Sequence, residues 1–159
     1  PDLATMARFA ELTRAILEDE MALHRSYAGE LGIGAGELEA EAPLPTTQGY
    51  TDFLVRTAAQ GDFAELVTAL LPCMWGYSEV GRRLAAGEPP AERRYAAWIE
   101  MYASDDFAEL AGWCRELTDR VGDGLPPTAL ARAERAFVTS SRWELAFWEM
   151  AWRGERWPA

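Results

Sequence analysis

Residues 70–84 read LLPCMWGYSEVGRRL. Residues four apart in a helix share a face, so Cys73 and Tyr77 lie one turn apart on one side. Leu70, Val80 and Leu84 lie elsewhere around the same helix and can face a core. Nothing in the stretch alternates as a half-buried strand would. Carried outward, the helical pattern runs from about 62 to 86, where AGEPP stops it with a glycine followed by prolines. The question this segment poses is whether Cys73 is packing or chemistry.

The rest of the chain keeps the same period. A first helix is predicted over about 3–31, with Met6, Phe9, Leu12, Ile16, Leu17, Leu23 and Tyr27 repeating at three and four and Asp2 as the N-cap. GIGAGELEAEAPLPTTQGY then reads as a loop of about fifteen residues, long enough to suggest a functional role. Thr46 or Thr47 is placed to cap a helix over 47–60. Further helices are predicted over 91–102, over 105–121 with Ser104 as its cap, and over 127–153. The expectation is an all-α bundle of about six helices without a clear domain boundary.

Composition limits the function. The 159 residues suit one domain, and 49% are apolar. The net charge of −11 argues against a nucleic-acid or anionic-membrane partner. All 15 basic residues are arginine, which carries no chemical implication. No apolar run reaches the length of a membrane span. The two cysteines, Cys73 and Cys114, lack metal-ligand spacing and form no disulfide framework, which fits a reducing cytosol.

Four features could carry chemistry. A half-greasy helix with a free thiol is most simply a buried structural cysteine, and a nucleophilic Cys73 needs a base or positive field that the local sequence does not supply. In the last helix Phe137, Ser141, Glu144 and Trp148 fall on one broad stripe. Glu144 among Phe147, Trp148 and Trp152 would be desolvated, which raises a carboxyl pKa and suits a general acid. The plain alternative is a solvent-facing glutamate beside core aromatics. Tyr50, Tyr77 and Tyr102 can stack on a flat heteroaromatic ring and hydrogen-bond its nitrogens, or serve as amphipathic core. The single histidine, His24, lies four residues after Glu20, too little for a metal site.

LPCMWGYSEVG (71–81), YAAWIEMYASDDF (95–107) and TSSRWELAFWEMAW (139–152), in this order and spacing, resemble the TenA/thiaminase II family. The resemblance covers essentially the whole chain, and it rests on the LPCxWxY and SSxxExxFW blocks together. It implies the haem-oxygenase-like all-α fold and an aminopyrimidine aminohydrolase of thiamin salvage, releasing hydroxymethylpyrimidine. The family's nucleophile falls on Cys73 and its acid on Glu144, with Glu149 at a neighbouring, more variable position. Its substrate-binding tyrosines fall on Tyr50, Tyr77 and Tyr102. The resemblance therefore reverses the structural reading of Cys73. It implies an aminopyrimidine or thiamin as the small-molecule partner, no cofactor or metal, a cytoplasmic location and a homotetramer.

One departure is large. Family members carry about two further helices ahead of this chain's Pro1, including a QDYxYL-like segment whose aspartate binds the aminopyrimidine. The expectation is thus a single TenA-like domain over 1–159 that is N-terminally incomplete. Two rival readings follow: a degenerate, non-catalytic binding protein, and another haem-oxygenase-like oxidase.

Overall fold

The computed structural model describes residues 1–158, and among them every regular element is helical. Counting π-helical turns as parts of the helices that contain them, the described residues hold seven helices. The chain separates into two compact units, Pro1–Pro43 and a second that begins at Leu44.

The first unit holds α1 and α2. Helix α1 runs through Leu3–Ala15, a π-helical turn Ile16–Glu20, and Met21–Glu30. The Asp2 side chain caps it by accepting from the Thr5 amide at 2.7 Å. The segment read as a loop contains a short helix, α2, Ala35–Ala40. Its sequence AGELEA is rich in helix formers, and Glu37 places a negative charge on the first turn. The surrounding glycines and prolines hide that signal.

The second unit holds five helices: α3 is Pro45–Gln60, α5 Arg93–Ala103, α6 Asp105–Gly122 and α7 Pro127–Arg153. Between α3 and α5, α4 comprises Phe63–Leu71, a π-helical turn Pro72–Gly76 and Tyr77–Ala85. Helix α3 begins two residues ahead of expectation, because Pro45 occupies the first helical position, where its missing N–H costs nothing. Neither Thr46 nor Thr47 is its cap. Leu44 stands there without a side-chain cap bond, and Glu155 supplies the acceptor instead. Glu155 accepts from the Thr46 amide at 2.9 Å and from the Thr46 hydroxyl at 3.0 Å. Gly154 makes this reach possible. It takes the left-handed conformation (φ 61°) that ends α7, and the Glu155 amide folds back onto the Met150 carbonyl at 3.0 Å.

Helix α4 packs against its four neighbours in this unit. Its start carries a capping box between Asp62 and Glu65, and Arg132 of α7 clamps both carboxylates at 2.8 and 3.3 Å. Ala129, Ala133, Ala136 and Ser140 line the buried side of α7. Such small side chains let helices approach closely, and Ala69 of α4 is fully buried there. Tyr50, Phe53, Ala69 and Ala136 form a core cluster, with Leu54 and Trp143 packed on it. Between α4 and α5 the approach is closer still: a Cβ on Gly81 would stand 2.7 Å from the Tyr102 carbonyl carbon.

Candidate active site

Pro72 has no N–H to give the α-helical ladder, and a π-helical turn begins there. Such turns often mark functional positions in helices. This one carries Cys73, half-buried, whose thiol contacts the Leu70 carbonyl at 2.9 Å. Tyr77 opens the α-helical stretch that follows.

Glu144 approaches from α7. Its partners are two tyrosine hydroxyls, and among the described residues no arginine pairs with it. The Tyr50 hydroxyl of α3 shares a 2.7 Å hydrogen bond with its carboxyl, and Tyr77 of α4 also bonds it. Burial pushes the Glu144 carboxyl above the ordinary glutamate value, and the two hydroxyls offset only part of that. Tyr50 is itself buried and stacks on Trp143 with centroids 6.4 Å apart. Burial raises its phenol well above the usual value, the Ser140 bond opposes this, and charge on Cys73 and Glu144 adds to it. Tyr50 thus remains a neutral hydroxyl, within the electrostatic reach of both the thiol and the acid.

The third tyrosine sits deeper. Tyr102 is 3% exposed, its ring 4.5 Å from Trp98, 5.2 Å from Tyr77 and 5.0 Å from Phe107. Trp148 joins the same cluster 5.8 Å from Tyr77 and 5.7 Å from Trp98. The structure therefore brings Tyr50, Tyr77 and Glu144 together by hydrogen bonds, keeps Cys73 within electrostatic reach of Tyr50, and attaches Tyr102 through aromatic contact with Tyr77.

Other candidates fall elsewhere. Glu149 forms a 2.6 Å ion pair with Arg153 one turn along α7. Cys114 is buried on α6. Ser141 spends its hydroxyl on the Phe137 carbonyl of its own helix. His24 lies 3.7 Å from Glu20, and among the described residues no three side chains cluster as metal ligands. Two grooves of about 360 and 370 Å³ flank α7, but neither is lined by Cys73, Glu144 or the three tyrosines.

Sequence reading missed Ser140. Its side chain is fully buried, contacts the Tyr50 hydroxyl at 2.8 Å and donates to the Ala69 carbonyl at 2.6 Å. The signal was available: Ser140 precedes Glu144 by four residues and so shares its face. Trp143 and Trp98 were also missed, since aromatic spacing alone does not separate a site wall from core.

The second unit is an all-α bundle that carries a thiol on a π-helical turn of one helix and, on another, a half-buried carboxyl raised above the ordinary glutamate value and held by two tyrosines. The chain belongs to the TENA/THI-4/PQQC family, whose model matches residues 1–154. Its fold is the haem-oxygenase-like helical fold of TenA proteins. The TenA homologue from P. horikoshii OT3 superposes with a TM-score of 0.83 at 32% identity, over 97% of this chain and 71% of that one. Aminopyrimidine aminohydrolase of Halalkalibacterium halodurans is 44% identical over 98% of this chain and 70% of its own length. Aminopyrimidine aminohydrolase of Bacillus subtilis is 38% identical over 98% of this chain and 66% of its own length. The chain thus spans about two thirds of the length of these relatives. Among the described residues no helix is long and apolar enough to cross a membrane.

Proposed function

We propose that this protein is an aminopyrimidine aminohydrolase of thiamin salvage, using Cys73 as nucleophile and Glu144 as general acid. The observation that carries the reading is the half-buried Glu144 carboxyl, joined to Tyr50 and Tyr77, with Cys73 close enough for its charge to act on Tyr50, in a chain 44% identical to a protein of that name.

An aminopyrimidine is electron-poor, but it accepts a sulfur nucleophile only if the charge that builds on a ring nitrogen is neutralised. The Cys73 thiolate forms an S–C bond at a ring carbon on, or next to, the one bearing the substituted arm. The proton of Glu144 goes to the ring nitrogen that gains the electron pair. The amine on the arm then leaves with its bonding pair and takes up a proton. Water adds to the arm carbon, leaving the hydroxyl there. The S–C bond breaks, the ring nitrogen returns its proton to Glu144, the thiolate is restored, and the proton that water gives up balances the one taken by the amine. The net change is amine plus water to alcohol plus ammonia, with no electron gained or lost. Tyr50 and Tyr77 orient Glu144, and the ring cluster of Tyr77 and Tyr102 offers π-faces to a flat ligand.

The test is release of ammonia and hydroxymethylpyrimidine from an aminomethyl-substituted aminopyrimidine. Release that falls to the uncatalysed rate in Cys73→Ala, with ligand binding retained, supports the assignment. Undiminished release by Cys73→Ala removes the thiol from the mechanism. No release by the unsubstituted protein, under conditions where it binds the pyrimidine, removes the hydrolase reading.

A further inference from the structure

Four groups form an unbroken line: the Glu144 carboxyl, the Tyr50 hydroxyl, the Ser140 hydroxyl and the Ala69 carbonyl. Their three contacts are 2.7, 2.8 and 2.6 Å. Each contact is short enough to require a hydrogen between the oxygens. The Ala69 carbonyl has none to give, so Ser140 must spend its only hydrogen there. Tyr50 must then give its only hydrogen to Ser140. The contact between Tyr50 and Glu144 is left without a hydrogen unless Glu144 carries one.

With Glu144 ionised, two hydrogens serve three contacts, and one pair of oxygens meets lone pair to lone pair at 2.8 Å or less. With Glu144 protonated, three hydrogens serve three contacts. Ser140 is fully buried, so water cannot fill the gap from its side. Opposing this, hydrogen bonds given to the carboxylate by Tyr50, once its hydrogen is free, and by Tyr77 favour the ionised form.

We propose that Ser140 is a positioning residue that keeps Glu144 protonated by occupying the Tyr50 hydrogen. It acts through Tyr50 and does not touch substrate. The inference deepens the reading of Glu144 as the acid, but its test needs no turnover.

The experiment is a carbon-13 NMR titration of the Glu144 carboxyl, identified by its loss in Glu144→Gln. In Ser140→Ala the Tyr50 hydrogen is released to the carboxylate, and the midpoint should fall by about one pH unit, an ionisation roughly tenfold easier. Ser140→Cys keeps a weaker donor in place and should lower the midpoint by less. A purely packing role for Ser140 would leave both midpoints where the parent has them, and that result overturns the proposal. So does an infrared spectrum of the parent at neutral pH without the protonated-carboxyl band that Glu144→Gln removes. Should the Ala variant not fold, the Cys variant decides. If the midpoint moves but no variant or parent hydrolyses aminopyrimidines, the hydrogen count stands and the proposed activity falls.

Discussion

Glu144 can serve as an acid only while it holds a proton, and its surroundings favour that state. Glu144→Gln keeps the shape and a hydrogen-bonding amide but has no proton to transfer. Aminopyrimidine hydrolysis should fall by roughly 10²–10⁴-fold, with pyrimidine binding changed far less. A Gln variant that turns over at nearly the parent rate would remove Glu144 from the chemistry. The two thiols differ in access, since Cys73 is half-buried and Cys114 buried. Brief treatment with iodoacetamide should place label on Cys73, read by mass mapping, and label mainly on Cys114 would reverse the assignment. The helical period alone left Cys73 as packing and Glu144 as a solvent-facing glutamate, and only the resemblance carried by the two blocks around them made them the expected nucleophile and acid. Ser140 was not legible, because a serine mid-helix most often bonds its own backbone, as Ser141 does. Its partner Tyr50 lies 90 residues away, and no local pattern reports such a contact.

At the scale of the element, helix boundaries followed from punctuation wherever the partner was local. Ser104 caps α6 as expected, accepting from the Phe107 amide at 3.2 Å. The start of α3 was not legible, since its acceptor, Glu155, comes from 109 residues on. Its removal should be felt at the site, because Tyr50 lies on the second turn of α3. Glu155→Ala should cost about 0.5–2 kcal/mol, as loss of a helix cap does, measured by denaturant unfolding, whereas Arg156→Ala should change little. Equal stability in both variants would show that Glu155 contributes nothing to holding α3. The seam between α4 and α5 offers a sharper case. Gly81→Ala puts a carbon 2.7 Å from backbone that cannot rotate away. Overpacking of this kind costs about 1–3 kcal/mol. The melting temperature should drop, and the fluorescence of the Trp98 cluster should shift with it. An unchanged melting temperature would mean that the two helices part freely.

Two carboxyls set opposing slopes on the pH dependence of the whole molecule. Asp62 is held below the ordinary aspartate value, first by the Glu65 amide and then by Arg132. Its contribution is present above the unfolded-state value and is lost as pH falls through the lower folded one. Glu144 runs the other way. Its folded value is raised, so its contribution is complete below the unfolded glutamate value, about 4.3, and is lost as pH rises through the folded one. In that window the folded protein holds one more proton at Glu144 than the unfolded chain does, and stability declines with rising pH. Glu144→Gln has no such proton, and so it lacks this decline while keeping the Asp62 slope at low pH. Urea unfolding of parent and Gln variant across pH 4 to 9 should therefore show the variant gaining on the parent as pH rises, then a constant gap once the folded carboxyl has ionised. The pH at which the gap levels off measures the folded Glu144 value without any substrate present. A gap that stays constant from pH 4 upward would mean that Glu144 ionises equally easily in the folded and unfolded chains, and a protected acid would no longer describe this fold.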